Sequence, residues 1–159
     1  SQCAQLAHLK LQISDGDVDA LATWLPNLPH LRTFRIDSDS HGIEIQLPNL
    51  PDLVKLDIHI ANANTLDFPP LLQLEFLTLR MDFQEVPSSW LPHLAQMTRL
   101  VSLEWILVPN SDLAKLSLYL PSCLESLKIA ARPQCPTKYI IDFISALDRL
   151  SHLTHLEAQ

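Results

Sequence analysis

The stretch Leu74-Glu75-Phe76-Leu77-Thr78-Leu79-Arg80 constrains this chain more than any other, because its apolar spacing recurs from end to end. It reads L-x-x-L-x-L, and Leu71 extends it upstream by three residues. Leu77-Thr78-Leu79 alternates apolar and polar, the period of a short strand with one buried face. Repetition of such a unit decides the fold class, so the copies come before composition.

Aligned on the strand pair, the copies are Leu6-x-x-Leu9-x-Leu11, Leu31-x-x-Phe34-x-Ile36, Leu53-x-x-Leu56-x-Ile58 and Leu74-x-x-Leu77-x-Leu79. They continue as Leu100-x-x-Leu103-x-Trp105, Leu124-x-x-Leu127-x-Ile129 and Leu153-x-x-Leu156-x-Ala158. Three residues upstream stand Cys3, Leu28, Leu50, Leu71, Met97 and Leu150, with Pro121 in the sixth copy. Strand starts at 9, 34, 56, 77, 103, 127 and 156 are separated by 25, 22, 21, 26, 24 and 29 residues.

This pattern resembles the leucine-rich repeat family, whose period is about 20–29 residues, and the resemblance covers essentially the whole chain. It implies an α/β fold in one domain, residues 1–159. The expected architecture is a solenoid with a parallel concave sheet of about seven short strands. Helices and extended turns would form the convex side. Irregular repeat lengths are similar to those of intracellular regulatory proteins such as F-box substrate adaptors and nucleotide-binding immune receptors. The family usually places Asn or Cys three residues after the second strand Leu. Here Ser14, Asp39, Ala61, Asp82, Val108 and Arg132 stand there, so uneven turns are expected. Neither end carries a polar cap of the kind solenoids need, and the expectation is a fragment of a longer repeat protein.

The segments between strands differ in kind. Asp17 as N-cap, then Val18, Leu21, Ala22 and Leu25 at helical spacing, predict a helix that Pro26 ends. Gly42 and the alternation Ile43-Glu44-Ile45 predict extended chain over 38–49, and Pro69-Pro70 excludes a helix at the end of 61–70. Ser89 is placed to cap a helix containing Leu91, Pro92, Leu94 and Ala95. Residues 110–120 read either way, because Ser111 can start a helical turn while Leu116, Leu118 and Leu120 alternate. Counting them as a repeat would leave an interval of only 13 residues from Leu103, so they are assigned to the convex side. Thr137 caps the last predicted helix, with Ile140, Phe143, Ile144 and Leu147 on one stripe and Arg149 near its C-terminus.

Composition narrows the function. With 47% hydrophobic and 18% charged residues the chain can bury a core. A net charge of −7 argues against an electrostatic grip on nucleic acid or anionic lipid. No apolar run approaches the roughly 20 residues of a membrane span, and the first residues lack a signal-peptide pattern. Cys3, Cys123 and Cys135 form neither a disulfide framework nor C-x-x-C, and are read as reduced thiols of a cytoplasmic protein, with the nucleus as the other compartment.

Chemistry is sparse. The seven histidines mostly sit beside core leucines, as in Leu-Pro-His-Leu at His30 and His93, while His59 and His155 fall on strands and His41 in a loop. None has a helical partner at i+4, so no metal site is expected. With only Gly16 and Gly42 there is no phosphate cradle, and there is no G-x-S-x-G elbow. No enzyme, catalytic residue or cofactor is expected.

What remains is the sheet face. Stacking the copies aligns Lys10, Arg35, Asp57, Thr78, Glu104, Lys128 and Glu157 in a central outward column. Before it lie His8, Thr33, Lys55, Phe76, Ser102, Ser126 and His155; after it lie Gln12, Asp37, His59, Arg80, Ile106 and Ala130. These side chains should project without supporting the core. Charge of both signs mixed with Phe76 and Ile106 suits recognition of a protein or peptide, with no nucleic acid, membrane or small-molecule substrate as partner. In an F-box type of parent, the resemblance implies, this face selects a substrate for ubiquitination. The competing expectation is an autoregulatory or scaffold segment of a larger, immune-receptor-like protein that packs on its own chain.

Overall fold

The computed structural model describes residues 3–14, 18–83, 89–108, 110–131 and 136–159. Among these, seven strands form one parallel sheet in chain order: β1 (His8–Gln12), β2 (Thr33–Gln46), β3 (Lys55–Asp67), β4 (Phe76–Phe83), β5 (Ser102–Val108), β6 (Ser126–Ala131) and β7 (His155–Ala158). The helices are α1 (Val18–Trp24), α2 (Leu91–Leu94), α3 (Asn110–Tyr119) and α4 (Thr137–Ser145). Short 3-10 turns follow α1 at Leu25–Asn27 and α4 at Ala146–Arg149. The chain is thus an α/β protein built on a parallel sheet with few helices.

Each strand is entered through the same turn. The amide three residues before the first inward strand residue donates to the carbonyl three residues further back: Leu6 to Cys3, Leu31 to Leu28, Leu53 to Leu50, Leu74 to Leu71, Leu100 to Met97, Leu124 to Pro121 and Leu153 to Leu150, all at 3.0–3.2 Å. A proline still works in the sixth copy because the position contributes only its carbonyl. Next, one carbonyl accepts two successive amides of the following strand. Ala7, Arg32, Val54, Glu75, Val101 and Glu125 each do so, to the pairs beginning at Arg32, Val54, Glu75, Val101, Glu125 and Thr154.

That step puts the apolar positions in register. Leu9, Phe34, Leu56, Leu77, Leu103, Leu127 and Leu156 are mutual partners across the sheet, and so are Leu11, Ile36, Ile58, Leu79, Trp105, Ile129 and Ala158. The inner members of both columns are buried, together with Leu31, Leu53, Leu74, Leu100 and Leu124 of the turns. Helical Leu21, Leu91, Leu94, Leu113, Leu116 and Phe143 complete the same core. Phe68, Trp90 and Trp105 pack there with ring centroids 5.1 and 5.2 Å apart.

The strands are not uniformly short. β2 and β3 run for 14 and 13 residues and stay paired from His41–Asn62 to Gln46–Asp67. Register shifts between Ser38 and Glu44 accompany Gly42 at φ 72°, a conformation glycine adopts without a Cβ penalty. His41 therefore lies within a strand, not a loop. Ile43 and Ile45 are buried and Glu44 is exposed, as the alternation predicts. The uneven turns have a local cause at Ser38, one residue before the expected polar position. Its buried hydroxyl donates to the Ile13 carbonyl at 2.9 Å and accepts the Ser40 amide at 3.2 Å.

The helices follow their apolar stripes more closely than their caps. Residues 110–119 are helical, with Leu113, Leu116 and the following Leu120 buried and Leu118 exposed, so the apparent alternation there is a buried helical stripe interrupted by one outward leucine. In α1, Leu21 is buried while Ala22 is exposed; the expected cap Asp17 lies outside the described residues. Trp90 rather than Ser89 precedes α2, and Pro136 rather than Thr137 precedes α4, neither with a side-chain cap bond. Ile144 stays exposed although Phe143 and Leu147 are buried. Arg149 does not serve its own helix. Its guanidinium donates to the Ser117 and Leu120 carbonyls, closing the C-terminal end of α3.

Adjacent residues of β4 test the alternation. Leu77 is 1% exposed and Phe76 43%. Leu77→Ala should cost about 2–5 kcal/mol, whereas Phe76→Ala should cost less than about 1 kcal/mol because it empties no core site. Urea denaturation of the two variants reads the difference directly.

Candidate functional site

The three outward columns stand in the register expected of them. Lys10, Arg35, Asp57, Thr78, Glu104, Lys128 and Glu157 are successive partners from β1 to β7. Thr33, Lys55, Phe76 and Ser102 align on one side, and Asp37, His59, Arg80 and Ile106 on the other. Strand pleating sends these residues away from the core on which the helices pack.

What their spacing could not convey is how they pair. Asp37 is the hub of the β1–β3 end. Arg35 grips it through Nε and Nη2 at 2.8–3.0 Å, and Lys10 Nζ lies 3.2 Å from its other side. Arg35 thus engages the carboxylate two residues along its own strand rather than Asp57, its rung partner. Lys55 lies 3.4 Å from Asp57, Arg80 2.9 Å from Glu104 and Lys128 3.2 Å from Glu157. Asp57 corrects the expectation that every column residue projects freely, because it is buried at 8% exposure. It lies deep beneath longer neighbours, and Lys55 folds over it.

His59 completes the cluster. Its Nδ1 lies 3.1 Å from Arg35 Nη2 and 3.3 Å from Asp37 Oδ1. A guanidinium has no acceptor and keeps its protons, so the Arg35 contact favours a neutral ring with Nδ1 accepting and the proton on Nε2, against the pull of Asp37 Oδ1 on the same nitrogen. Electrostatics agree. Burial and the charges of Arg35 and Arg80 depress the His59 pKa, outweighing Asp37 and Asp57, which would raise it. The Arg35 hydrogen bond, helped by Lys10 and opposed by burial, holds the Asp37 carboxyl below its ordinary range, and the same bond raises the Arg35 pKa.

A second ladder runs along the turns that lead into the strands. His30 pairs with Asp52 at 3.0 Å, and Arg99 bridges Gln73 and Glu75. The Leu-Pro-His-Leu histidines are not equivalent, since His93 instead meets the Phe68 carbonyl at 2.6 Å. Cys3 is exposed, the Cys123 thiol donates to the Leu100 carbonyl at 3.3 Å, and Cys135 lies outside the described residues. Among the described residues no group of three His, Cys, Asp or Glu is arranged to hold a metal, and no helix is long and apolar enough to cross a membrane. No protein-family model matches the chain, and no curated protein matches it.

The neutral ring has a consequence for pH. Folding lowers the His59 pKa beneath its ordinary 6.5, so below that value the unfolded chain takes up the proton first and stability falls. The loss grows down to the folded-state value and is absent above 6.5. Between about pH 7 and about pH 5.5 the urea midpoint should therefore decline less in His59→Gln than in the parent. Parallel declines would mean that His59 is not held neutral.

Proposed function

We propose that this chain is a leucine-rich repeat solenoid acting as a protein-interaction module, with the open sheet face as its concave recognition surface. The observation that carries the proposal is the in-register outward face itself. It sets five cations, four carboxylates, Phe76 and Ile106 in three columns on one side of the sheet, opposite the core. Side chains arranged in this way on a rigid sheet lose little freedom when a partner docks, which favours specific binding. The residues assigned to recognition are Lys10, Arg35, Asp37, Lys55, Asp57, His59, Phe76, Thr78, Arg80, Glu104, Ile106, Lys128 and Glu157.

Within this reading the chain carries no chemistry of its own. Its partner is a protein or peptide, met in the cytoplasm or nucleus. An F-box-type adaptor is the parent protein that fits this role, with the face selecting what is ubiquitinated. Asp57 serves from beneath, by fixing Lys55, rather than by touching the partner.

Affinity capture with paired variants tests the assignment. Phe76→Ser with Arg80→Glu changes the open face, while Asp142→Lys with Asp148→Lys changes exposed positions on and just after α4. Partners captured reproducibly by the parent should fall about tenfold with the first pair and persist with the second. The reverse pattern would move recognition to the helical side.

A further inference from the structure

The ion pairs of the open face share an asymmetry. Comparing side chains alone, the cation is the more exposed partner: Lys10 at 66% over Asp37 at 24%, Lys55 at 47% over Asp57 at 11%, and Arg80 at 52% over Glu104 at 23%. Arg35 is likewise more exposed than Asp37, while Lys128 and Glu157, beyond the four strands β1 to β4, are nearly level. The carboxylates lie low against the sheet and the long basic side chains reach over them. A partner approaching this acidic protein from the sheet side therefore meets ammonium and guanidinium groups first.

Their placement has an order as well. Lys10, Arg35, Lys55 and Arg80 lie on β1, β2, β3 and β4, one on each of four successive strands. Adjacent strands are about 4.8 Å apart, so this staggered row, with Lys55 and Arg80 in the outer columns on opposite sides, extends for roughly 14 Å across the sheet. The next strand breaks it. β5 offers Ser102, Glu104 and Ile106, and Phe76 stands on β4 beside Ser102. The basic row thus gives way to two apolar residues on opposite sides of the face, Phe76 level with Ser102 and Ile106 level with Arg80.

Taking the open face as the recognition surface, we propose that its partner is an acidic peptide segment laid across the strands. Carboxylates of the peptide lie over β1 to β4, followed by an apolar side chain against the exposed ring of Phe76. Each basic head keeps donors beyond its bond to the less exposed carboxylate, since an ammonium has three N–H groups and a guanidinium five. The net charge of −7 does not prevent this. Screening over about 8 Å at physiological ionic strength lets the nearest cations dominate charges elsewhere on the chain.

Selection from a displayed library of random peptides tests the proposal, followed by titration of the synthesised consensus. The expected consensus is rich in Asp and Glu beside one aromatic or aliphatic residue. Lys55→Gln with Arg80→Gln should weaken it about tenfold, and added salt should weaken it further. Asp142→Asn should leave it unchanged, and a melting curve confirms that each variant is folded. Peptides that depend on Phe76 but carry no acidic enrichment would overturn the acidic partner and keep the binding face. Peptides indifferent to Phe76, Lys55 and Arg80 would overturn both. A library that yields no consensus overturns the peptide partner. A single-stranded oligonucleotide that displaces the consensus and binds more tightly would assign the basic row to phosphates instead.

Discussion

Six backbone carbonyls, those of Ala7, Arg32, Val54, Glu75, Val101 and Glu125, each receive two consecutive amides from the next strand, and the whole sheet hangs on that step. It fixes where each strand begins relative to the last. A slip of one residue would turn every Leu of the strand outward and every charge inward. The preceding turn, with its amide bonded three residues back, delivers the chain to that step with the same geometry in all seven described copies. Individually such bonds contribute only about 1 kcal/mol net. Their larger effect is to place a leucine where burial contributes roughly 1.5–3 kcal/mol.

The outer face depends on this order without sustaining it. Exposed ion pairs are worth about 0–1 kcal/mol, so the Lys10–Arg35–Asp37–His59 cluster stabilises the protein far less than the leucine columns behind it. Its value is positional. The pairs hold carboxylates down and basic heads out, which decides the sign of the outermost charges on this face. Asp57 shows the limit of the division between core and face, since it is nearly as buried as the leucines beside it. Removing it would leave Lys55 without its anchor.

The columns were legible in the sequence because a strand's period is two and the copies share three apolar positions in every six residues. Leu77, Thr78 and Leu79 state their own orientation, and stacking the copies supplies their neighbours. Pairing was not legible. Whether Arg35 turns to Asp57 across the rung or to Asp37 along the strand is a matter of rotamers that spacing does not encode. Extended chain over 38–49 was legible, but its pairing with the far end of β3 escaped for another reason. Ala61 and Asp39 occupy positions where a turn was expected, and extended pairing of Ile43, Ile45 and Leu66 prevailed. The α3 helix was obscured by Leu118, an exposed leucine that mimicked an alternation. Arg149 looked like the cap of its own helix, yet tertiary packing gave its donors to Ser117 and Leu120.

Amide hydrogen exchange, followed residue by residue, measures the doubled step itself. The pairs Val54–Lys55, Glu75–Phe76, Val101–Ser102 and Glu125–Ser126 lie between strands paired on both sides, and should exchange slowest. Arg32–Thr33 and Thr154–His155, which tie on the outermost strands β1 and β7, should exchange faster. Both members of each pair should be protected together, because one carbonyl holds them. Protection of only one member, or exchange of the central pairs as fast as an unstructured peptide, would contradict an in-register parallel sheet.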